Sequence, residues 1–96
     1  MANDFQFVEC RDRETKVWDK RLNDAYIRAQ AKMEKEALGN LRKVQRAWIT
    51  FRDAACRQPS VTFQGSMAGP MESYCLMERT GRQAIWMEDW AEDVSR

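Results

Sequence analysis

The fold is decided by residues 45–56, which read QRAWITFRDAAC. In a helix, this stretch places Trp48 and Phe51 three positions apart on one apolar face, so two large aromatic side chains are expected in the core. Its last residue is a cysteine, and Pro59 follows where a helix is expected to stop. Cys75 stands beyond that point. The stretch therefore predicts a core helix that ends beside a possible disulfide.

The remainder of the chain is also helical in pattern. Apolar residues recur every three or four positions, and Gly39-Asn40 is the first helix stop signal. The prolines, glycines and serines of residues 58–70 predict a loop. Three main helices are therefore predicted, over about residues 5–38, 41–57 and 71–95. We expect residues 1–96 to form a single all-α domain, a compact bundle whose first two helices are antiparallel neighbours that share their apolar faces.

Gly81 interrupts the third predicted helix. A glycine inside a helix costs about 1 kcal/mol relative to alanine. Its presence indicates either close packing of the backbone at that point or simple tolerance by the fold.

The charges and hydropathy of the 96-residue chain argue against two classes of partner. The formal net charge is +1, and lysines and arginines alternate with carboxylates, as on solvated helix faces. A nucleic-acid surface instead concentrates basic residues, so nucleic-acid binding is not predicted. No apolar run approaches the roughly 20 residues that span a bilayer, so no transmembrane segment is expected. No signal-peptide pattern is present either, and an exported chain would already have lost its signal.

The residue types also argue against enzyme chemistry and bound cofactors. The chain has no histidine, which excludes the usual serine and cysteine triads, and it has no glycine-rich phosphate loop. Its three cysteines are too widely spaced for a structural zinc site, which usually needs four ligands in close pairs. We therefore expect a non-enzymatic protein without a metal or a cofactor.

The three cysteines leave two interpretations open. Cys56 and Cys75 flank the predicted loop, and a bridge between them would contribute about 3 kcal/mol by restricting the unfolded chain. Alternatively, all three cysteines are reduced and buried, as in a cytosolic protein. Under the first interpretation Cys10 is left over.

Two parts of the sequence could contact a partner, and each also has a purely structural interpretation. The acidic cluster near the C-terminus is either a solvated helix end or a surface for a cationic protein. The neighbouring tryptophans either fill the core or form a binding hot spot, and two large apolar loop residues either tuck against the helices or face a partner. The candidate partner-binding residues are Phe63, Met67, Trp86, Glu88, Asp89, Trp90, Glu92 and Asp93.

Sequence motifs are distributed along most of the chain. They are LNDAY at residues 22–26, the stretch at residues 45–56, GSMA at residues 65–68, and YCL at residues 74–76 with Thr80. Together they resemble the lysozyme inhibitor LprI-like family, which consists of small exported bacterial domains. The motif residues to which we assign a structural role are Leu22, Tyr26, Gln45, Trp48, Phe51, Arg52 and Asp53. Among them, Arg52 and Asp53 are interpreted as a salt bridge or helix cap in preference to a recognition pair.

This resemblance implies an all-helical fold, a bridge between Cys56 and Cys75, and export to the periplasm or beyond. It also implies a possible inhibition of lysozyme, a cationic enzyme, through an acidic or loop-borne surface. Members of the family often carry a further cysteine upstream of the position of Cys10, and this chain lacks it. The alternative function is a structural or interaction module of the cell envelope with another partner and no effect on lysozyme.

Overall fold

The computed structural model describes the backbone of residues 4–96 and the side chains from Val8 onward. The described chain forms three α-helices and no strand. They are α1 (Asp4–Gln30), α2 (Lys35–Thr62) and α3 (Ala68–Val94). The prediction of an all-α fold with three main helices is confirmed.

The first helix ends earlier than predicted. α1 stops at Gln30, and the predicted stop at Gly39-Asn40 lies inside α2. A Cβ atom at residue 39 would meet no heavy atom within 4 Å, so this glycine occupies an ordinary helical position at a cost of about 1 kcal/mol. The chain turns instead where Ala29 is fully buried and Met33 packs back onto the same core. Tertiary packing therefore sets the end of α1.

The prolines beside the α2–α3 connection do not end the helices where predicted. α2 continues past Pro59, and the backbone N–H of Phe63 donates to the carbonyl oxygen of Pro59 over 2.8 Å, which closes the last turn. α3 begins before Pro70, which lies in its first turn, where a missing N–H has no helical partner to lose. The connecting loop is therefore residues 63–67, shorter than the predicted loop over residues 58–70.

α3 is the central helix of the bundle. α1 packs along α3, and α2 also packs on α3, whereas α1 and α2 barely touch within the described chain. The expected shared face between the first two helices is therefore wrong, although their connection is short. The buried core consists mostly of small residues, namely Leu22, Ala25, Ala29, Leu41, Ala84, Met87 and Ala91. Small side chains let α1 approach α3 closely, and Gly81 packs directly against Trp18.

Polar contacts fasten the beginning of α3 to α1. The Nη1 atom of Arg11 donates to the carbonyl oxygen of Pro70 over 2.9 Å. The hydroxyl of Ser73 donates to Oδ1 of Asp12 over 3.2 Å, and Ser73 is buried. These bonds fix the register of the two helices near the start of α3. The core of small residues lies further along α3.

The bundle is long and thin. Its Cα radius of gyration is 15.7 Å, and it measures 48 × 27 × 13 Å along its principal axes. A compact domain of this length would have a radius of gyration of about 12.5 Å. The molecule is thus more elongated than the compact bundle expected from the sequence, because three long helices lie alongside one another.

Cys56 of α2 and Cys75 of α3 form a disulfide, with their Cα atoms 5.4 Å apart. The bridge fastens the connecting loop, as predicted, and the oxidised interpretation of the cysteines applies. Cys10 is a free and exposed cysteine on α1. It is therefore not one of the buried thiols of the alternative interpretation.

The motif residues with a predicted structural role differ in their burial. Leu22 and Gln45 are buried, and Gln45 accepts a hydrogen bond of 3.3 Å from α3. Tyr26 and Trp48 are partly buried at the edge of the core. Phe51, expected in the core, is 56% exposed. Phe51 lines an open cleft between α2 and α3, so its ring is only partly covered by α3.

Candidate functional site

Two exposed surfaces of the described chain carry the residues that the sequence singles out for partner contact. One is the loop tip, which we define as Val61, Phe63 and Met67. The other is the α3 outer face, which we define as Arg82, Ile85, Trp86 and Asp89. A helix rises about 1.5 Å per residue, so Met67 and Trp86 lie roughly 28 Å apart along α3. The structure therefore does not bring the eight candidate residues together into one site.

The loop tip is an exposed apolar projection where α2 turns into α3. Val61 is 66% exposed, Phe63 50% and Met67 68%. Gly65 has a φ of +96°, a left-handed conformation that favours glycine and tightens the turn. The disulfide joins the two helices that lead into the loop. The apolar side chains therefore face solvent at the end of α2 and on the loop, and the disulfide holds the two helices on either side together.

The α3 outer face borders two clefts between α2 and α3, and Trp86 lines both. The first cleft has a volume of about 260 Å³ and is lined by Met33, Ala37, Asn40, Leu41, Val44, Trp86 and Trp90. The second has a volume of about 210 Å³ and is lined by Trp48, Phe51, Arg79, Arg82, Gln83 and Trp86. Trp86 thus lies between the two clefts. The first cleft is mostly apolar, and the second contains arginines.

Arginines lie over the aromatic rings of the second cleft. The guanidinium carbon of Arg79 is 5.0 Å from the ring centre of Phe51, and that of Arg52 is 4.9 Å from the ring centre of Trp48. Arg52 also pairs with its neighbour Asp53 at 2.9 Å. Among the described residues, no carboxylate lies within ion-pair distance of Arg79. Its described contact is thus with the ring of Phe51.

Glu88 belongs to the contact between α1 and α3. Its carboxylate oxygens accept hydrogen bonds from Nη2 and Nε of Arg21, at 2.7 and 3.0 Å. These hydrogen bonds hold the pKa of Glu88 below its ordinary value, against a smaller opposing effect of desolvation. The two-pronged geometry orients both side chains. Glu88 therefore takes part in the contact between α1 and α3. It is not one of the free carboxylates of the acidic surface that the sequence suggested.

Trp90 also belongs largely to the fold. It packs against the core, and its Nε1 atom is buried without a hydrogen-bond partner in the described chain. Asp89, Glu92 and Asp93 are exposed. The last two lie 3.6 and 3.8 Å from the guanidinium of Arg96, at the exposed end of α3. The acidic surface therefore consists of three carboxylates after Trp86.

Four residues beside these surfaces are not among those that the sequence singles out for partner contact. Phe51, Arg82 and Ile85 are exposed, and Arg79 is half-buried. Phe51 shares the three-and-four spacing of Trp48, and this spacing cannot show how much of the face α3 covers. One signal was available for the others, because all three lie within about two helical turns of Trp86 in the predicted third helix.

The described residues hold no group of three or more histidine, cysteine or carboxylate side chains positioned for a metal ion. None of the helices in that part of the chain is long and apolar enough to cross a membrane.

The family model described as Lysozyme inhibitor LprI matches residues 2–86. The chain belongs to the LprI family. An uncharacterized protein of Rhizobium meliloti (strain 1021) is 31% identical to this LprI chain over 99 residues, which cover 88% of this chain and 71% of that protein. No solved structure matches the chain.

The LprI match covers one of the two exposed surfaces completely and the other only in part. It contains the disulfide and the whole loop tip. It ends at Trp86, before the carboxylates of Asp89, Glu92 and Asp93. The loop tip is therefore the exposed candidate surface that this LprI chain shares in full with the matched region.

Proposed function

We propose that this LprI chain is an exported, non-enzymatic protein that binds a lysozyme and blocks its substrate cleft with the loop tip. The family match carries the proposal, because the family is described as lysozyme inhibitors. The disulfide supports export to the periplasm or the outside of the cell, since disulfides persist in oxidising compartments. Residues 1–96 act as one domain in this proposal.

The loop tip has the properties expected of an inhibitory element. Its three exposed apolar side chains project from a turn, and a projecting apolar element fits a concave enzyme cleft. The bridge between α2 and α3 holds the loop in one arrangement before binding, which reduces the entropy lost on binding. Phe63 supplies an aromatic side chain, the kind of residue that often dominates binding energy.

The carboxylates beyond Trp86 have a secondary role in this proposal. Asp89, Glu92 and Asp93 lie far from the loop tip along α3, so they do not enter the same cleft. Exposed carboxylates attract a cationic enzyme at long range, which raises the association rate more than the affinity. We therefore expect salt to slow association while the inhibition itself depends mainly on Phe63 and Met67.

Clearing of a bacterial cell-wall suspension by lysozyme tests the proposal. The turbidity is followed with lysozyme alone and with an excess of this protein, and calorimetric titration detects the complex. Slower clearing together with a measurable complex is the expected result. An unchanged clearing rate and no complex would show that the proposal is wrong. A complex without slower clearing would instead favour an interaction module of the cell envelope.

The double variant Phe63→Ser/Met67→Ser tests the position of the contact. We expect the inhibition constant to rise about tenfold or more, since removing a buried anchor usually costs more than about 1.4 kcal/mol of binding energy. The matched control is Val17→Ser/Ile27→Ser, which removes two similarly exposed apolar side chains from α1. Equal effects of the two double variants would contradict the assignment of the loop tip.

A further inference from the structure

The two clefts that Trp86 borders form one groove between α2 and α3. The residues that line them recur every three or four positions on each helix, so they lie on one face of it. On α3 this face extends from Arg79 to Trp90, which is about 16 Å of helix. We define the α2–α3 groove by Ala37, Leu41, Val44, Trp48 and Phe51 of α2 and Arg79, Gln83, Trp86 and Trp90 of α3.

The two ends of the α2–α3 groove differ in their chemistry. At the end formed by the first cleft, the lining is apolar except for Asn40. At the end formed by the second cleft, the lining contains Arg79 and Arg82 and no carboxylate. Arg82 is paired at 2.8 Å with Glu78, which lines neither of these two clefts. The groove therefore has an apolar end and an end whose lining is positively charged.

Arg79 is the arginine of this end that is best placed for an anion. It is half-buried, and its guanidinium carbon lies 5.0 Å from the ring centre of Phe51. A guanidinium over a ring keeps its N–H donors in its own plane, and those of Arg79 have no acceptor within the described chain. A half-buried charge is also screened less by salt than an exposed one. An anionic group beside Arg79 would therefore gain charge-assisted hydrogen bonds.

Gln83 adds a fixed polar group to the charged end. Its Nε2 atom donates to Oε1 of Gln45 over 3.3 Å. Gln45 is only 7% exposed, so this bond holds the side chain of Gln83 from below the groove. A mostly apolar concavity with a few fixed polar groups is the usual form of a small-molecule site.

The size and lining of the groove restrict the class of ligand. The clefts of about 260 and 210 Å³ together fall within the range of about 300–1,000 Å³ that is typical of ligand pockets. A partner helix, about 10–12 Å in diameter with its side chains, needs a wider groove. A sugar would leave its hydroxyl groups unpaired against the apolar first cleft. An unbranched chain with an anionic head complements both ends.

We propose that the α2–α3 groove binds a single-chain anionic amphiphile, such as a fatty acid. The chain lies in the first cleft and across Trp86, and the carboxylate accepts hydrogen bonds from Arg79. A lysophospholipid, whose head carries a phosphate, shares this chemistry. Arg79 and Met67 lie about 18 Å apart along α3, so the groove is separate from the loop tip and its occupant is independent of the proposed inhibition of lysozyme.

Calorimetric titration of the full chain with decanoate, below its micelle concentration, tests the proposal. We expect one decanoate per chain. Hexanoate should bind about tenfold or more weakly, because it buries four fewer methylene groups. Decyltrimethylammonium has the same chain and a positive head, and it should also bind about tenfold or more weakly. No binding of decanoate up to about 1 mM, or equal binding of the cationic amphiphile, would overturn the proposal.

Two variants with matched controls test the two ends of the groove. Arg79→Gln should raise the Kd for decanoate about tenfold, since a charge-assisted hydrogen bond is lost. Its control is Arg46→Gln, at an exposed position of α2 outside both clefts. Ala37→Phe adds a ring at an exposed position in the first cleft and should also raise the Kd about tenfold or more.

The control for Ala37→Phe is Ala47→Phe, which adds the same ring on the exposed side of α2, outside both clefts. Both controls should leave the Kd unchanged, and circular dichroism should give the same helix content in all four variants. Equal effects of a variant and its control would overturn the assignment of the groove. Inhibition of lysozyme by a variant that no longer binds decanoate would leave the proposed function intact.

Further titrations distinguish the sources of the anionic head. Monomeric lysophosphatidylglycerol that binds more tightly than decanoate, and that is weakened by Ala37→Phe, would support the groove and assign the head as a phosphate. Vesicles of phosphatidylglycerol test a membrane surface instead. Adsorption to these vesicles that persists in the Ala37→Phe variant, without binding of either monomeric amphiphile, would overturn the proposal.

Discussion

The backbone of Gly81 packs against the indole ring of Trp18. A Cβ atom at residue 81 would lie 3.1 Å from Cε2 of Trp18 and 3.3 Å from its Cδ2 and Nε1 atoms. Trp18 is also in contact with Arg21, whose guanidinium carbon lies 4.4 Å from the ring centre. The glycine therefore sets the distance between α1 and α3 at this level of the bundle.

Replacing Gly81 or Gly39 by alanine should change stability in opposite directions. Alanine is favoured over glycine in a helix by about 1 kcal/mol, and at Gly39 no heavy atom within 4 Å opposes the added methyl group. We expect Gly39→Ala to stabilise the protein by about 0.5–1 kcal/mol. At Gly81 the methyl group meets Trp18, so we expect a net destabilisation of about 1 kcal/mol. Urea denaturation measures both, and a stabilised Gly81→Ala variant would contradict the close packing.

The ion pair of Arg21 with Glu88 should make stability depend on acid pH. The pKa of Glu88 is lowered in the folded chain, so the contribution is fully present above the unfolded pKa of about 4.3 and is lost as the pH falls through the lower folded value. Glu88→Gln should therefore be less stable than the wild type at neutral pH and approach it in strong acid. Urea denaturation over a pH series measures the difference.

A matched control for Glu88 is Glu9→Gln. Glu9 forms an exposed pair with Arg13 at 3.8 Å, and such pairs contribute little to stability. We expect its free energy of unfolding to follow that of the wild type at every pH. A difference between Glu88→Gln and the wild type that stays constant down to strong acid would exclude an ionic contribution.

Removal of the disulfide should cost about 3 kcal/mol of unfolding free energy, because the bridge closes a loop with a sequence separation of 19. The variant Cys56→Ser/Cys75→Ser tests this value by urea denaturation. Cys10→Ser is the control, and it should change stability little because Cys10 is exposed.

Thiol titration in denaturant should detect one thiol per chain before reduction and three afterwards. The single thiol is that of Cys10, and the other two are those of the bridge. Three reactive thiols in the protein as isolated from an oxidising compartment would contradict the bridge.

Truncation of Phe51 should cost much less stability than truncation of a core residue. Phe51 is exposed, and Arg79 covers its ring, so we expect Phe51→Ala to cost about 1 kcal/mol or less. Leu22 is buried against the alanines of α1 and α3, so Leu22→Ala should cost about 2–5 kcal/mol. Equal losses in urea denaturation would show that Phe51 is a core residue after all.

Helical periodicity was sufficient to predict the three helices, whereas their ends and partners required tertiary information. Gly39 and Pro59 are strong local stop signals, yet both lie inside α2. Leu41, two residues after Gly39, is buried in the core, so packing of α2 outweighs the local cost of the glycine. The apolar face of a helix also does not indicate which other helix covers it. The sequence therefore could not show that α1 packs on α3.

The candidate surfaces could be predicted only in part for the same reason. Phe63 and Met67 lie on a short loop, where the sequence allowed an exposed position, and they are exposed. Glu88 and Asp89 are neighbours in the sequence, but Glu88 points towards Arg21 whereas Asp89 is exposed. Which carboxylate remains free depends on where α1 lies.

The contact between α1 and α3 joins segments that are far apart in the chain. Arg11 bonds to a residue 59 positions away, and Arg21 bonds to one 67 positions away. α1 thus meets its partner only when α3 is nearly complete, and contacts of such long range form slowly. During synthesis the core between α1 and α3 consequently cannot assemble until most of α3 has been added to the chain.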